Sequence, residues 1–354
     1  MSDIKEMTTG FQLSCPMPKF DFDAINLGHG SGGILSQRLL NSGVFDVLKN
    51  DLLNERHDGA VFQLEGKLAF STDSYVVSPV FFPGGNIGEL AINGTVNDLA
   101  MCGAKAKYLS LSFILEEGLR MDHFWEILHT IKKACDAADV YIITGDTKVV
   151  ERGKGDQIFI NTSGIGVVHP KASLGWKHLQ PGDCIIINAP IAAHGIAIMS
   201  RRNGLEFESD IVSDTFPLHN SVGLLLDHFG DKVHFLRDAT RGGIASVLNE
   251  IAGDGNMGIS IRQRDIPLDE QVTGACEMLG LDPLYVANEG IFVAMVAQDA
   301  AADAVALLRD NGWPEACTIG ELTTAHKGQV LLQSAIGGHR VVNMLPGEQL
   351  PRIC

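Results

Sequence analysis

The sequence lacks the features that mark a membrane protein or a disulfide-rich secreted protein. Its longest apolar runs, such as Cys184–Ile187, have the length of a buried strand and are far too short to span a bilayer. Its seven cysteines are odd in number, scattered and without a C-x-x-C pair, which argues against a disulfide framework and against a zinc site. We therefore expect a reducing compartment and a cytoplasmic location.

Basic residues are also scarce. The chain has 27 Lys and Arg against 43 Asp and Glu, a formal net charge of −16, which argues against binding to nucleic acid or to an anionic membrane surface. Residues 1–25 contain no continuous apolar segment, so we expect no secretory signal. An acidic protein that handles ATP needs a cation between its carboxylates and the phosphates, so Mg²⁺ is expected wherever ATP is bound.

Strand and helix patterns alternate through two stretches of domain size. A chain of 354 residues with 45% hydrophobic composition is long enough for two buried cores. We predict a mixed α/β (α+β) fold of two packed domains in preference to one doubly wound sheet. The predicted divisions are a flexible leader at 1–26, an N-terminal α/β domain at 27–170, a C-terminal α/β domain at 171–345 and a mobile tail at 346–354.

Hydrophobic periodicity locates the main elements within these divisions. The predicted helices cover 34–40, 87–101, 122–138 with Asp122 as N-cap, 195–201, 244–252 and 299–311. The predicted strands cover 68–77, 108–115, 140–144, 157–168, 184–188, 233–236 and 328–334.

Six acidic residues stand beside glycine or other small residues near the ends of these elements. They are Asp58, Asp73, Asp98, Asp146, Asp238 and Glu289. Carboxylate oxygens suit Mg²⁺, which is typically held by a few carboxylates, phosphate oxygens and water. Each one alone is more often a helix cap or a turn former, but the six together favour a metal–phosphate site. Asp98 is the most informative, because an unpaired charge among the small and apolar residues of a helix is costly.

A glycine-rich loop, Gly28–Gly33, precedes the first predicted helix. Its backbone N–H groups are suited to cradle a phosphate, although a flexible lid is an equally good interpretation. The loop is neither a Walker A motif nor a dinucleotide fingerprint. Two interpretations remain for each of two basic residues. Lys148 is either a phosphate contact or a solvated surface charge, and Arg241 is either a phosphate contact or part of a salt bridge. Three histidines near glycines (His29, His57 and His194) are interpreted as ordinary loop residues, and two helical cysteines (Cys102 and Cys135) as core residues.

The last residue is a cysteine, Cys354, on a short and mostly polar tail. Cysteine is usually buried, so this position is unusual, and a thiolate can carry an acyl-type group covalently. A frayed chain end is the alternative. Prenylation is excluded because it requires the cysteine four places from the end.

Several motifs closely resemble the HypE family of hydrogenase maturation factors. They are Phe70–Tyr75 (FSTDSY), Phe82–Gly88 (FPGGNIG), Thr144–Val150 (TGDTKVV), Asp238–Gly243 (DATRGG) and the terminal Pro351–Cys354 (PRIC). The resemblance runs from about Leu27 to Cys354. The acidic motifs are shared with a wider superfamily that includes aminoimidazole ribonucleotide synthetase, selenophosphate synthetase and thiamine-phosphate kinase, whereas the terminal cysteine singles out HypE.

The resemblance implies a two-domain, aminoimidazole-ribonucleotide-synthetase-like fold whose N-terminal domain pairs in a homodimer. It also implies that the carbamoyltransferase HypF loads a carbamoyl group on the terminal thiol and that ATP drives dehydration of this thiocarbamate to a thiocyanate. The cyano group then passes to iron on a HypC–HypD complex. Two alternatives remain at this point: another small-molecule synthetase or kinase of the superfamily, or a non-catalytic scaffold. Selenophosphate synthetase is disfavoured, because its glycine-rich segment carries a reactive Cys or Sec and a Lys that Gly28–Gly33 lacks.

The resemblance also assigns roles to individual residues. The implied magnesium ligands are Asp58, Asp73, Asp98 and Asp238. The implied nucleotide contacts are Gly30, Ser31, Gly32, Gly33, Asp73, Asn97, Asp98, Asp146, Thr147 and Arg241. The implied catalytic residues are Cys354 as carrier, Glu289 as base and Lys148 near the reacting tail. We expect the tail to swing, folded inward when ATP is bound and exposed otherwise.

Overall fold

The structure is a computed structural model that describes residues 17–18, 21–202, 204, 211–347, 350 and 352–354. Most of the predicted leader, including Cys15, lies outside the described residues, as do Glu348, Gln349 and Pro351 of the predicted tail.

The described end of the leader packs against the N-terminal domain. Ala24 forms an isolated bridge with Arg120, and the Ile25 amide donates to the carbonyl oxygen of Leu119 at 2.8 Å. The Ile25 side chain is buried in the same core as the domain's helices. Residues 24–25 therefore differ from the loose leader that we predicted, because an apolar side chain at this point fills the domain core.

Short helical segments connect this region to the first sheet. They are a 3₁₀ helix at Leu27–Gly30, α1 (Ile34–Leu39), a π-helical segment at Leu40–Phe45, α2 (Asp46–Leu48) and α3 (Asp51–Asn54). The glycine-rich loop thus lies at the 3₁₀ helix and the start of α1, as the sequence indicated.

The N-terminal domain contains a four-stranded sheet with the order β1-β6-β4-β5 and a small β2–β3 hairpin. Its strands are β1 (Leu68–Tyr75), β2 (Phe81–Phe82), β3 (Gly85–Asn86), β4 (Ala104–Glu116), β5 (Tyr141–Val150) and β6 (Ile158–Val168). β4 and β5 run parallel, and β1–β6 and β6–β4 run antiparallel. Two helices, α4 (Ile87–Met101) and α5 (Met121–Ala138), pack on one another, and α4 also packs on the sheet.

Helix α4 has the predicted bounds and is buried around almost its whole circumference. Helix α5 begins one residue before the predicted start, with Arg120 as N-cap. Asp122 is therefore not the cap; it lies in the first turn, where it accepts a hydrogen bond from Arg120 Nε at 3.0 Å. Cys135 is buried as predicted, whereas Cys102 is the C-cap of α4 and is exposed.

The C-terminal domain contains a seven-stranded mixed sheet with the order β13-β12-β9-β11-β7-β10-β8. Its strands are β7 (Cys184–Ile187), β8 (Val233–Asp238), β9 (Gly258–Arg262), β10 (Phe292–Val296), β11 (Cys317–Thr323), β12 (Val330–Gln333) and β13 (His339–Val342). Its helices are α6 (Ala193–Arg202), α7 (His219–Phe229), α8 (Gly243–Asp254), α9 (Glu270–Leu279) and α10 (Ala301–Asp310). Four 3₁₀ helices complete the described part of this domain, at Trp176–His178, Gly230–Lys232, Gln263–Asp265 and Pro283–Tyr285.

Helices cover both faces of this sheet, so strand β10, which pairs with β7 and β8, is buried along its whole length. One core joins the sheet to α6, α8 and α9, and the other joins it to α7 and α10. The second core also contains Ala100 and Met101 from the end of α4. This contact brings the C-terminal end of α4 beside β8 and positions the site described below.

The described ranges contain no helix that is both long and apolar enough to cross a membrane.

Candidate active site

Three carboxylates from different elements come together where the domains meet. Asp73 lies on β1, Asp98 in the last turn of α4, and Asp238 at the end of β8. Ser71, two residues before Asp73 on β1, donates its hydroxyl to Asp98 Oδ2 at 2.6 Å. The site thus has contributions from both domains, which no local sequence pattern reveals.

The charges in this cluster affect one another. Burial raises the pKa of Asp238 to about 7, and repulsion from Asp98 adds to the effect while Arg237 opposes it. Burial likewise raises the pKa of Asp98, against the stabilising hydrogen bond from Ser71. Partly buried carboxylates that repel one another are favourable partners for a cation. Within the described residues, however, no three His, Cys, Asp or Glu side chains already form a metal-binding group.

Glu289 lies in the loop between the 3₁₀ helix Pro283–Tyr285 and β10, and its main chain is fixed on both sides. Its amide donates to Asp214 Oδ1 at 3.1 Å, and its carbonyl oxygen accepts from Asn97 Nδ2 at 3.1 Å. The next residue must be glycine, because a Cβ on Gly290 would lie 1.9 Å from the carbonyl oxygen of Asp214. These contacts hold the loop against α4 and against the segment 211–218.

The Glu289 side chain is only 4% exposed, and its Oε1 has no hydrogen-bond partner among the described residues. Burial raises the pKa of Glu289 well above its usual range, and repulsion from Asp214, then Asp238, adds to the shift. A buried carboxyl with an unused oxygen and a raised pKa has the properties of a general base or acid.

Asn97, which was predicted to contact the nucleotide, makes side-chain hydrogen bonds within the protein. Its side chain is 1% exposed, and its amide nitrogen donates to the carbonyl oxygens of Glu289 and Phe216 while its oxygen accepts from the Leu218 amide. The structure therefore places Asn97 behind Glu289, as part of its support.

Asp214 is a site residue that our reading of the sequence missed. Its carboxylate accepts from the amides of Glu289 and Gly290, and burial raises its pKa to about 6 despite these hydrogen bonds. The segment around it carries no recognisable motif, and only the folded chain brings it to Glu289.

The described tail residues pack between segment 76–78 and helix α6, a position that we call the tail groove. The amides of Val76 and Ser78 donate to the carbonyl oxygens of Cys354 and Arg352, at 3.1 and 3.3 Å, as in an antiparallel strand pair. Ile353 is 2% exposed and belongs to the N-terminal core. The tail groove therefore holds these residues through main-chain hydrogen bonds and one buried side chain.

Helix α6 provides further contacts to the tail. His194 Nε2 lies 2.8 Å from the carbonyl oxygen of Ile353, and Arg202 donates to that of Arg352 at 2.9 Å. His194 was interpreted as an ordinary loop residue, and this interpretation is wrong: it lies in the first turn of α6 and is fully buried. A single histidine without a motif gives no signal of this role in the sequence.

The Cys354 thiol lies within electrostatic range of the carboxylate cluster. Burial raises the pKa of the thiol, and the negative charge of Glu289 raises it further, whereas Arg241 opposes the shift. Asp73 and Asp238 also act on it. The structure thus brings together Cys354, Glu289, Arg241 and the three carboxylates, which are far apart in the sequence.

Asp146, Thr147 and Lys148 form a second group on the exposed part of β5. Lys148 Nζ donates to Asp146 Oδ1 at 2.7 Å, and this hydrogen bond lowers the pKa of Asp146. The glycine-rich loop lies beside them, since a Cβ on Gly30 would lie 2.8 Å from Val149 Cβ. Lys148 is not one of the described charges that shift the pKa of the Cys354 thiol most strongly.

Asp58 lies apart from both groups. It is exposed on the loop after α3, where its amide contacts the ring nitrogen Nδ1 of His57. It is not among the described charges that act most strongly on Asp98, Asp238 or Glu289. The structure does not bring Asp58 to the carboxylate cluster within one chain.

This architecture defines a class of protein. Residues 56–168 match the family model described as AIR synthase related protein, N-terminal domain, and residues 180–333 match the model for its C-terminal domain. A thiamine monophosphate kinase from Aquifex aeolicus shares the fold with a TM-score of 0.57 at 17% identity, covering 76% of this chain and 89% of that one. The predicted fold class is confirmed.

The full-length relatives define the family within this class. Carbamoyl dehydratase HypE of Bradyrhizobium diazoefficiens is 46% identical over 332 residues, which cover 93% of this chain and 96% of that protein. The Escherichia coli protein of the same name is 42% identical over 337 residues, with 93% and 99% covered. A crystal structure of the maturation protein HypE in complex with ATP matches with a TM-score of 0.89 at 45% identity, covering 93% of this chain and 99% of that one. The chain belongs to the HypE family of carbamoyl dehydratases, as its motifs indicated.

Proposed function

We propose that this protein is an ATP-dependent dehydratase that converts a thiocarbamate on Cys354 into a thiocyanate. The observation that supports this proposal is the docked tail, since the charges of Glu289 and of the carboxylate cluster act on the Cys354 thiol. The names of its relatives and the ATP complex of one of them support the same chemistry. The product would supply the cyanide ligand for the iron of a NiFe hydrogenase.

Removal of oxygen from the carbamoyl group requires a better leaving group than hydroxide. We infer that the carbamoyl oxygen attacks the γ-phosphorus of ATP, forming an O–P bond and releasing ADP. The nitrogen loses one proton in this step, and the carbon–nitrogen bond becomes a C=N double bond as the carbonyl C=O becomes a single C–O bond to phosphate. Loss of phosphate with the second N–H proton then forms the C≡N bond, so the carbamoyl oxygen leaves in phosphate.

Glu289 is the residue best placed to accept these protons. Its Oε1 is buried without a hydrogen-bond partner among the described residues, and its main chain is held by Asp214 and Asn97. A raised pKa makes the carboxylate a stronger base when it is deprotonated. Lys148 is proposed to offset charge on the transferring phosphoryl group.

The carboxylate cluster and the β5 group are proposed to bind Mg²⁺ and ATP. Asp73, Asp98 and Asp238 would hold Mg²⁺, which would offset charge on the phosphates when bound. Asp146, Thr147, Arg241 and the loop residues Gly30, Ser31, Gly32 and Gly33 would contact the nucleotide. Asp58, the fourth predicted ligand, would join only after movement of its exposed loop or from a second protomer.

The tail is proposed to alternate between its groove and solvent. A stretch of nine residues from Pro346 to Cys354 spans up to about 30 Å when extended. The swinging tail would meet HypF for loading and a HypC–HypD complex for delivery of cyanide. A crystal structure described as a HypE–HypF complex matches this chain with a TM-score of 0.77 at 39% identity, covering 88% of this chain and 100% of that one. We propose a cytoplasmic location for this cycle.

A homodimer is proposed through the outer face of the four-stranded sheet. Phe70, Ile165, Tyr108 and Tyr141 form a continuous row across β1, β6, β4 and β5. Phe70 is 66% exposed and Tyr141 51% exposed in the single chain. An apolar row of this kind is a favourable surface for association with a second copy.

Intact mass spectrometry tests the proposed function. The protein is incubated with HypF, carbamoyl phosphate and ATP, and wild type is compared with Cys354→Ala. We expect a carbamoyl adduct that loses one water only when ATP is present, and no adduct on the variant. An adduct that never loses water, or its formation on Cys354→Ala, would contradict the proposal.

A further inference from the structure

His194 connects the tail to the support of the catalytic base. Its Nε2 lies 2.8 Å from the carbonyl oxygen of Ile353, the residue directly before Cys354. Its Nδ1 lies 2.7 Å from the hydroxyl oxygen of Ser213. Both ring nitrogens are therefore used, and the ring is fully buried against Phe82 in an edge-on contact at 5.6 Å between ring centroids.

The hydrogen bonds determine which nitrogen carries the proton. The Thr215 amide donates to the Ser213 hydroxyl oxygen at 3.1 Å, so this hydroxyl is free to donate its own proton to His194 Nδ1. In the neutral ring, Nε2 then carries the hydrogen and donates to the Ile353 carbonyl oxygen. Burial lowers the pKa of His194 to about 4, which is consistent with a neutral ring.

The segment that orients His194 also positions Glu289. Ser213 and Thr215 flank Asp214, whose carboxylate accepts from the amides of Glu289 and Gly290. The Ser213 amide in turn donates to the carbonyl oxygen of Pro83 at 2.8 Å in the N-terminal domain. Segment 213–215 therefore holds the donor for the tail on one side and the base on the other.

The adjoining residue on α6 shows that the tail fits closely at this point. A Cβ on Gly195 would lie 2.5 Å from Val286 Cγ1 and 3.1 Å from Leu350 Cδ1. Leu350 packs against the cores of both domains. Two successive residues in the first turn of α6 thus contact the tail: His194 through a hydrogen bond and Gly195 through close packing. This turn therefore determines where the tail lies.

We propose that His194 is a positioning residue that fixes the Cys354 carrier against Glu289 through its hydrogen bond to the Ile353 carbonyl oxygen. This inference rests on the proposed function, because it assumes that the docked tail is the reacting form. His194 does not touch the reacting group; it acts through the tail main chain. Loss of the donor should populate the undocked tail without changing the carboxylate cluster.

The test compares His194→Leu, which removes the donor, with His194→Gln, which keeps an N–H group. His228→Leu, on the exposed face of α7, is the control. The first measurement is the rate at which iodoacetamide alkylates Cys354, followed by mass spectrometry of the C-terminal peptide. The second is the single-turnover rate of water loss from carbamoylated protein with saturating ATP.

Loss of one buried hydrogen bond is expected to raise the alkylation rate of His194→Leu about tenfold. The dehydration rate should fall by a similar factor. His194→Gln should recover most of both effects, and His228→Leu should match wild type. Should His194→Leu fail to fold, Ser213→Ala, which removes the group that orients the ring, replaces it with a smaller expected change in the same direction.

Unchanged alkylation and dehydration in His194→Leu would overturn the inference. Equal losses in His194→Leu and His194→Gln would also overturn it, since they would show a packing role only. A wild-type protein that never loses water would instead contradict the proposed function, while the alkylation rates would still report on His194.

Discussion

Replacement of Glu289 by glutamine tests whether this buried carboxyl limits stability while it supports activity. Its pKa is raised well above the usual 4.5 by burial and by repulsion from Asp214 and Asp238. At a pH between the pKa of Glu289 in the unfolded state and its higher pKa in the folded state, the folded protein holds a proton that the unfolded chain has released. The stabilising contribution is therefore complete below about pH 4.5 and is lost as the pH rises toward the folded pKa.

The magnitude follows from this difference of one proton. The free energy of unfolding should fall by up to about 1.4 kcal/mol per pH unit because of Glu289. This slope applies only between the pKa of Glu289 in the unfolded state and its raised pKa in the folded state. Glutamine has nearly the same shape and does not titrate, so the pH dependence of Glu289→Gln should be flatter. Removal of its charge also relieves Asp214 and Asp238, which acts in the same direction.

The assay is chemical denaturation of both proteins at several pH values, with Glu315→Gln, an exposed carboxyl, as control. The single-turnover dehydration rate of Glu289→Gln should be lower by about a hundredfold or more, the usual contribution of a general base. The wild-type rate should rise with pH as Glu289 loses its proton. Parallel stability curves for wild type and Glu289→Gln would refute the reasoning about burial, and an active variant would refute the role as base.

Three further substitutions test the packing and the metal site. Gly195→Ala places a Cβ 2.5 Å from Val286 Cγ1, so overpacking of about 1–3 kcal/mol should undock the tail and speed alkylation of Cys354 about fivefold or more; a rate equal to that of wild type would contradict the close fit. Asp98→Asn should weaken the Mg²⁺-dependent part of ATP binding about tenfold, measured by nucleotide titration with and without Mg²⁺, and an unchanged Mg²⁺ dependence would remove Asp98 from the site. Gly94→Ala places a Cβ 2.3 Å from the Tyr75 hydroxyl and should lower the free energy of unfolding by about 1–3 kcal/mol in chemical denaturation, which a neutral result would contradict.

Hydrophobic periodicity located the main elements of the N-terminal domain, but in the C-terminal domain the prediction missed the strands β9, β10, β11 and β13 and the helices α7 and α9. Helix α4 has the bounds that the sequence predicted, and α8 and β6 differ from prediction by at most two residues at each end. The errors lie where local signals are weak. Aspartate is a common N-cap residue, but the helix already begins at Met121, whose side chain is buried in the core. Asp122 therefore lies in the first turn, where it accepts a hydrogen bond from Arg120.

The site could be predicted only in part. Its carboxylates stand beside glycine or other small residues, so Asp73, Asp98, Asp238 and Glu289 could be selected from the sequence. Asp214 and His194 could not, because each acts through contacts with residues far along the chain: Asp214 with Glu289, and His194 with Ile353. The hydrogen bonds of Asn97 could not be predicted for the same reason, since its partners Phe216 and Leu218 are distant in sequence.

The sequence alone determined the family, the two-domain α/β class and the chemical types present, because these depend on local motifs and on periodic burial. Tertiary structure decided which of those groups meet. Packing of the end of α4 against the C-terminal core brings Asp98 to Asp238, and the groove between segment 76–78 and α6 brings Cys354 to Glu289. Electrostatic shifts such as those of Glu289 and Asp238 depend on burial and on charges from several elements, so they exist only in the folded chain.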